Sequence, residues 1–219
     1  MWLKHVILHK YKVIYFDTPK VACSSIRYAL ADLLEIQVAP QVGIHARDSL
    51  PHVDKKTLFE EYKDYFKFSF VRNPWDRLLS CYSEKIRDEK LNNNNFSNGV
   101  ANSIGKHGVF RGSMSFEEFV DALSTIPDRR ADPHLRSQYA LLSNESGELF
   151  LDFIGRFENL EEDFDKVCHL AGMPKTSLPH KNQSPMKKAN YIDYYTDKTK
   201  NFVSQRYAKD IEVFEYKFN

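Results

Sequence analysis

Two short stretches carry residue types and spacings able to hold an anion. In Thr18-Pro19-Lys20-Val21-Ala22-Cys23-Ser24-Ser25, a lysine and two hydroxyls stand between an apolar run and a segment of helical periodicity. In Arg72-Asn73-Pro74-Trp75-Asp76-Arg77-Leu78-Leu79-Ser80-Cys81-Tyr82, an arginine ends a second apolar run and a serine follows two turns into a helix. A helix N-terminus offers unsatisfied N–H groups and the positive end of the dipole, so an anion placed there is stabilised twice over. In the first stretch the N–H groups of Ala22 to Ser25 are aimed at that opening. Lys20 adds a compact point charge and the hydroxyls of Ser24 and Ser25 add donors. Arg72 adds a planar fork suited to phosphate oxygens, with Ser80 as a further donor. Two such sites on one sheet call for a ligand with two separate phosphates. On local pattern alone, Ser24 serves equally as an N-cap, Lys20 as a solvated turn residue and Arg72 as the partner of a carboxylate. No glycine precedes Lys20 and no Gly-x-x-x-x-Gly-Lys occurs, so the first stretch is not a standard nucleoside triphosphate loop.

The elements that must position these residues follow from periodicity. Val13-Ile14-Tyr15-Phe16 reads as the first strand, and Ile26, Ala29, Leu30, Leu33 and Leu34 then fall at helical spacing. A second strand is expected at Phe68–Val71. Asn73 as N-cap, Pro74 at the first helical position and Asp76 in the first turn open the next helix, whose apolar face is Trp75, Leu78, Leu79, Tyr82 and Ile86. Ser115 with Glu118 forms a capping box. A third strand is expected at Leu149–Ile154. Asn159 with Glu162 resembles another cap, Gly172 and Pro174 end that helix, and a last helix starts near Thr196. Strands alternating with helices indicate an α/β fold with a mainly parallel sheet, whose ligands bind beyond the carboxyl ends of the strands.

Composition bounds the reading. The 219 residues are expected to form a single domain, 1–219, with a surface insertion at about 88–112 that includes the asparagine run 92–95. The formal net charge is +1, which gives no global field for nucleic acid or a membrane. The three cysteines, Cys23, Cys81 and Cys168, show no metal or disulfide spacing, so a reducing compartment is expected. Cys23 and Cys81 read as small packing residues, since neither has an adjacent base. The first ten residues are too short and polar for a signal peptide, and no run reaches the length of a membrane span, so the expected location is cytoplasmic, without stable membrane insertion.

Together the two stretches resemble the sulfotransferases, and more narrowly the carbohydrate sulfotransferases of the heparan 2-O and chondroitin 4-O kind and their short bacterial relatives. Pro19-Lys20-Val21-Ala22-Cys23-Ser24 is similar to that family's loop for the 5′-phosphosulfate of 3′-phosphoadenosine 5′-phosphosulfate (PAPS). Arg72, Pro74, Arg77, Ser80 and Tyr82 match the fixed positions of its 3′-phosphate motif, Arg-x-Pro-x-x-Arg-x-x-Ser-x-Tyr. His52-Val53-Asp54, Asp132-Pro133-His134 with Gln138, Gly155–Leu160, Tyr194-Tyr195-Thr196 and Tyr207–Asp210 are also similar to family segments. His180-Lys181-Asn182-Gln183-Ser184 resembles the late loop that closes over the nucleotide. The 88–112 insertion has no clear counterpart.

The resemblance implies a three-layer α/β/α, P-loop-like sulfotransferase fold. It implies an enzyme that moves a sulfuryl group from PAPS to a carbohydrate hydroxyl and releases 3′,5′-ADP, without a metal. The cofactor-binding set is then Lys20, Val21, Ala22, Cys23, Ser24, Ser25, Arg72, Ser80, Asn182 and Ser184. Lys20 neutralises the leaving oxygen and is placed to donate a proton to it. His52 matches the family's catalytic histidine and is the first choice of base; a loop or helix-cap role is its alternative. His45 is close enough in sequence to take that role, and His134 is the second choice, as an acceptor contact or an assistant to His52. His5, His9, His107 and His169 have no motif around them and read as surface or core residues. A small alcohol, a phenol and a lipid-linked sugar remain alternative acceptors. A P-loop-like kinase would need a Walker glycine and a magnesium-binding carboxylate, and a binding module without catalysis would lack Lys20 or the histidines. The oligomeric state and the sulfated position are open.

Overall fold

The computed structural model describes residues 4–39, 43–46, 49–179 and 190–219. In chain order the strands are β1 His5–Leu8, β2 Val13–Phe16, β3 Phe66–Val71, β4 Phe96–Ser97, β5 Val100–Ala101 and β6 Phe153–Arg156. The helices are α1 Cys23–Leu33, α2 Lys55–Glu61, α3 Pro74–Lys85, α4 Asn102–Gly105, α5 Phe116–Ser124, α6 Gln138–Leu142, α7 Leu160–Leu170, α8 Asp197–Arg206 and α9 Ala208–Val213. The chain divides into two compact units: Met1–Arg72 with Leu141–Asn182, and Asn73–Ala140 with Gln183–Asn219. No helix among the described residues is long and apolar enough to cross a membrane.

The first unit is a mixed α/β body around one sheet of order β1-β2-β3-β6. β2, β3 and β6 run parallel, and β1 pairs with β2 antiparallel. Period-two alternation sends Val6, Leu8, Val13, Tyr15, Phe68 and Phe70 into one apolar cluster, which Ile26, Ala29, Leu30 and Leu33 of α1 and Phe164 and Val167 of α7 complete. On the other face Phe16 lies edge-on to Phe150 at 4.9 Å, and Phe150 lies edge-on to Phe59 of α2 at 5.7 Å. Gly155 lies opposite Phe70 in the register, where a Cβ would stand 2.3 Å from the Phe70 ring. Only glycine lets that ring lie over β6.

Three expectations need correction in this unit. β1 was not foreseen, although Val6-Ile7-Leu8 is an apolar run. The third strand begins at Phe153 rather than Leu149. The carboxylate of Asp152 accepts the Lys67 N–H at 2.7 Å, which stops the β3 ladder there, and Phe150 packs between Phe16 and Phe59 instead. Asn159 makes no side-chain cap, because the 3-10 turn Phe157–Asn159 runs directly into α7.

Among the described residues, the second unit is helical apart from one hairpin. Asn73 caps α3 through its side chain with Pro74 at the first position, and the Ser115/Glu118 capping box opens α5, both as expected. Thr196 opens α8 with a box closed by Thr199. The expected surface insertion at about 88–112 holds the β4–β5 hairpin and α4. Its two-residue turn Asn98-Gly99 has both φ angles positive, 47° and 75°, the conformation that Asn-Gly favours in tight hairpins.

Asp210 is fully buried and gathers the start of α6. It accepts Ser137 Oγ at 2.5 Å and the amides of Gln138 and Tyr139 at 2.8 Å each. Asp210→Ala strands these donors in an apolar interior, so equilibrium urea unfolding should show a loss of about 3 kcal/mol. A loss under about 0.5 kcal/mol would show that water already satisfies that site.

Candidate active site

The first unit brings two of the expected anion-binding groups together. The chain leaves β2 at Phe16 and turns through Asp17–Ala22 into α1, which begins at Cys23. Lys20 and Ala22 both sit in the left-handed region, with φ of 73° and 63°. Left-handed backbone costs a residue with a Cβ about 1–2 kcal/mol, and such strain gathers where a loop must aim its amides at a ligand. The turn thus holds left-handed backbone at two residues without the glycines that usually allow it. Ala22 is the N-cap, and Ser24 lies inside the helix, so the N-cap role considered for Ser24 does not apply. The first intrahelical bond is Ile26 N–H to the Ala22 carbonyl at 3.1 Å, so the amides of residues 22–25 precede the ladder at the positive end of α1. Ser25 is buried, while Lys20 and Ser24 are half-buried.

Arg72 follows β3, the strand beside β2. Its Nη1 donates to the Lys20 carbonyl at 3.1 Å, and its guanidinium lies over the Phe157 ring at 4.0 Å. Phe157 orients the planar face and the Lys20 carbonyl fixes one corner. The two motifs therefore meet through a side chain and a carbonyl, beyond the carboxyl ends of adjacent parallel strands.

His45, from the segment between α1 and α2, reaches the start of α1. Its Nε2 shares a 2.8 Å hydrogen bond with Ser24 Oγ, and its Nδ1 lies 3.8 Å from Asp17 Oδ2. Asp17 is buried and is paired with Arg27 Nη1 at 3.4 Å. Ligand atoms of Asp17, Cys23 and His45 lie within 4.8 Å of one another. The Arg27 guanidinium on Asp17, and burial plus the Asp17 charge pushing the Cys23 thiol far up, make this trio a poor holder of a divalent cation. The same upward push disfavours the Cys23 thiolate and agrees with its reading as a packing residue.

His52 stands at the carboxyl end of β2 as well. His5 pairs with Phe16 across β1–β2, its Nε2 accepts the Val53 N–H at 3.2 Å, and its ring lies 6.4 Å edge-on from that of His52. His52 Nδ1–H donates to the Leu50 carbonyl at 3.3 Å, which makes Nε2 the nitrogen with the lone pair. His5 is thus more than a core histidine without a role, since it anchors the backbone beside His52. Only its place opposite a strand end could have signalled this.

In the second unit, Ser80 is buried within α3. Arg77 is buried too and does not reach for a ligand: it donates to the carbonyls of Arg136 at 2.9 Å and Pro133 at 2.8 Å, clamping the loop that carries His134. Tyr207 OH donates to Leu135 O at 2.7 Å from the other side. His134 Nδ1–H donates to Asp132 Oδ1 at 2.5 Å. Burial works against the Asp132 charge, but hydrogen bonds from His134 and Lys106 outweigh it and hold the carboxyl well below the usual range. Burial lowers the His134 pKa from its ordinary value, against the raising effect of the Asp132 hydrogen bond. The insertion encloses a cleft of about 480 Å³ lined by Glu89, Asn98, Asn102, Lys106, Phe110 and Arg111, among others. Asn182 and Ser184 lie outside the described residues.

The depressed Asp132 carboxyl has a consequence for acid stability. Its folded pKa lies below the unfolded value of about 3.9, so its contribution is complete at pH 7 and is lost as pH falls through about 4 toward the folded value. The gap in melting temperature between the wild type and Asp132→Asn should therefore narrow between pH 7 and pH 3. A gap of constant size would show that Asp132 is not held in charged form by its partners.

The model of the sulfotransferase family matches residues 4–217. Carbohydrate sulfotransferase 11 of Rattus norvegicus is 30% identical over 196 residues, covering 78% of this chain and 54% of the relative. Carbohydrate sulfotransferase 14 of Danio rerio is 25% identical over 231 residues, covering 98% and 62%. Carbohydrate sulfotransferase 10 of Xenopus laevis is 24% identical over 239 residues, covering 95% and 66%. The chain spans about half to two thirds of the length of these curated relatives. No solved structure matches. A match that runs through both motifs and almost from end to end shows that the chain belongs to the sulfotransferase family.

Proposed function

We propose that this chain transfers the sulfuryl group of PAPS to a hydroxyl of a carbohydrate acceptor, releasing 3′,5′-ADP. The observation that carries the reading is the hydrogen bond from Arg72 to the Lys20 carbonyl, which joins the two anion-binding motifs at the ends of β2 and β3. The left-handed turn at Lys20 and Ala22, the amides opening α1 and the hydroxyl of Ser24 form a cradle whose chemistry suits a 5′-phosphosulfate. The Arg72 fork, oriented by Phe157, suits a 3′-phosphate, with Ser80 as the further donor that the motif supplies. Asn182 and Ser184 complete the nucleotide site as its closing loop. A three-layer, P-loop-like arrangement, with the chain as a single domain, is part of the proposal and is supported by that strand-to-helix turn.

The chemistry asked of these residues is charge management at an in-line displacement. Lys20 and the α1 amides meet negative charge that grows on the oxygen bridging sulfur and the 5′-phosphate, and Lys20 Nζ carries a proton that this oxygen can take. His52 Nε2 accepts the proton of the attacking hydroxyl, and His134 holds the acceptor. Lys20 and the helix end supply the charge for which phosphoryl transfer usually needs a metal. The relatives' names point to a carbohydrate acceptor. The cleft in the insertion supports this, since its amides, cations and aromatic ring are groups that grip sugars. A cytoplasmic location belongs to the proposal too, supported by the three cysteines Cys23, Cys81 and Cys168, whose spacing shows no disulfide framework. Thermal shift with 3′,5′-ADP against ATP and magnesium tests the donor class: stabilisation by 3′,5′-ADP alone supports the reading, and stabilisation by ATP and magnesium alone overturns it.

A further inference from the structure

The insertion reaches a group that the proposed reaction needs. Just past α4, Lys106 Nζ donates to Asp132 Oδ2 at 2.7 Å, and His107 Nε2 accepts the Asp132 N–H at 3.2 Å. Asp132 Oδ1 faces the opposite way, toward His134 Nδ1 at 2.5 Å and the His134 amide at 3.1 Å. Asp132 itself is 5% exposed. A buried carboxylate with one oxygen tied to an ammonium and its amide tied to an imidazole has one orientation left for the other oxygen. That orientation fixes Nδ1 as the proton-bearing nitrogen of His134 and leaves the lone pair on Nε2.

We propose that Lys106 and His107 are positioning residues, through which the insertion orients Asp132 so that His134 presents Nε2 as a hydrogen-bond acceptor to the acceptor hydroxyl. The clamps from Arg77 and Tyr207 hold only the backbone of the 131–136 loop and leave the ring free to turn. Lys106 and His107 act on the side chain that holds the ring. The titratable groups facing His134 are Asp132 from its own loop and Glu84 and Lys85 from α3; burial and Lys85 lower its pKa while Asp132 and Glu84 raise it, and the net shift is downward, toward the neutral form that Nε2 acceptance needs. Among the described residues, then, a segment outside the family motifs contributes to the acceptor side of the site. The catalytic part of the inference rests on the sulfuryl-transfer reading; the orientation of His134 does not.

The test uses the full chain labelled with ¹⁵N-histidine and the variants Lys106→Met, Lys106→Arg, His107→Ala and His107→Gln. The wild type should show a downfield His134 Nδ1–H proton, absent in His134→Asn. Lys106→Met and His107→Ala should shift or broaden it while the protein still melts cooperatively. Lys106→Arg, which keeps a donor cation, and His107→Gln, which keeps an acceptor near the Nε2 position, should restore it. In transfer assays Lys106→Met and His107→Ala should lower kcat about tenfold, with the KM for PAPS unchanged and the conservative variants recovering. An unmoved proton signal in both disruptive variants overturns the positioning, whatever the assay shows. A shifted signal with unchanged kcat overturns the catalytic part. Absence of transfer in the wild type with the signal series as expected overturns the sulfuryl-transfer reading and leaves the orientation of His134 standing.

Discussion

Lys20→Ala should lower kcat by about 10²–10³-fold while the Kd for 3′,5′-ADP changes by no more than about threefold. The asymmetry follows from where charge develops. In the ground state the phosphosulfate shares its charge among several oxygens, and the α1 amides and Ser24 meet most of it. In the transition state charge concentrates on the bridging oxygen, which is where an ammonium adjacent to the loop gains most. A residue that stabilises only the transition state lowers kcat and kcat/KM together and leaves product affinity nearly intact. Lys20→Arg should recover little, because a planar fork cannot replace a point charge on a loop already held in left-handed backbone. Isothermal titration with 3′,5′-ADP and steady-state kinetics on the same samples separate the two effects. Full turnover in Lys20→Ala would contradict the assignment of the leaving-group side to this loop.

Arg72→Met should weaken 3′,5′-ADP about 100-fold and leave adenosine 5′-phosphosulfate within about threefold. The estimate takes two charge-assisted hydrogen bonds at about 1.5 kcal/mol each, a total near two decades in affinity. Methionine keeps the apolar contact with Phe157, so the stacking is not the variable. Arg72 also donates to the Lys20 carbonyl, which gives the experiment a second possible outcome. If the guanidinium served only to hold that carbonyl, both ligands would lose affinity equally. Equal losses would remove the 3′-phosphate role and leave Arg72 as a loop clamp.

Much of the geometry around Lys20 and Arg72 was legible in the sequence because it is local. Lys20 and Arg72 stand at strand-to-helix junctions, and apolar runs followed by helical periodicity mark such junctions without reference to distant residues. The capping box at Ser115, the helix start near Thr196 and the cap at Asn73 are equally local, and the structure has them. What escaped depends on contacts far apart in sequence. β1 is four residues long, and its place depends on pairing with β2. Asp132 stood in view beside His134, but the groups that hold its other oxygen and its amide, Lys106 and His107, lie 26 and 25 residues earlier. Arg77 belongs to the same motif as Arg72 and yet turns to two loop carbonyls, because a helix places the next motif arginine on its own buried face.

The hairpin at 96–101 is a different kind of miss. Asn98-Gly99 is a strong tight-turn signal between two short β-prone pairs, and it was there to be read. The asparagine run just before it made the whole segment read as a polar surface insertion. The absent side-chain cap at Asn159 shows the reverse error, since a good cap residue followed by a glutamate is unused when a 3-10 turn already leads into the helix.

The most direct test of the account is transfer of label from ³⁵S-PAPS to a panel of acceptors containing glycosaminoglycan oligosaccharides, lipid-linked sugars, small alcohols and phenols. The account predicts ³⁵S on a carbohydrate hydroxyl with one 3′,5′-ADP released per sulfate transferred, and loss of that transfer in Lys20→Ala. Label that appears only on the small alcohols or phenols, or on none of the panel despite tight 3′,5′-ADP binding, would contradict it.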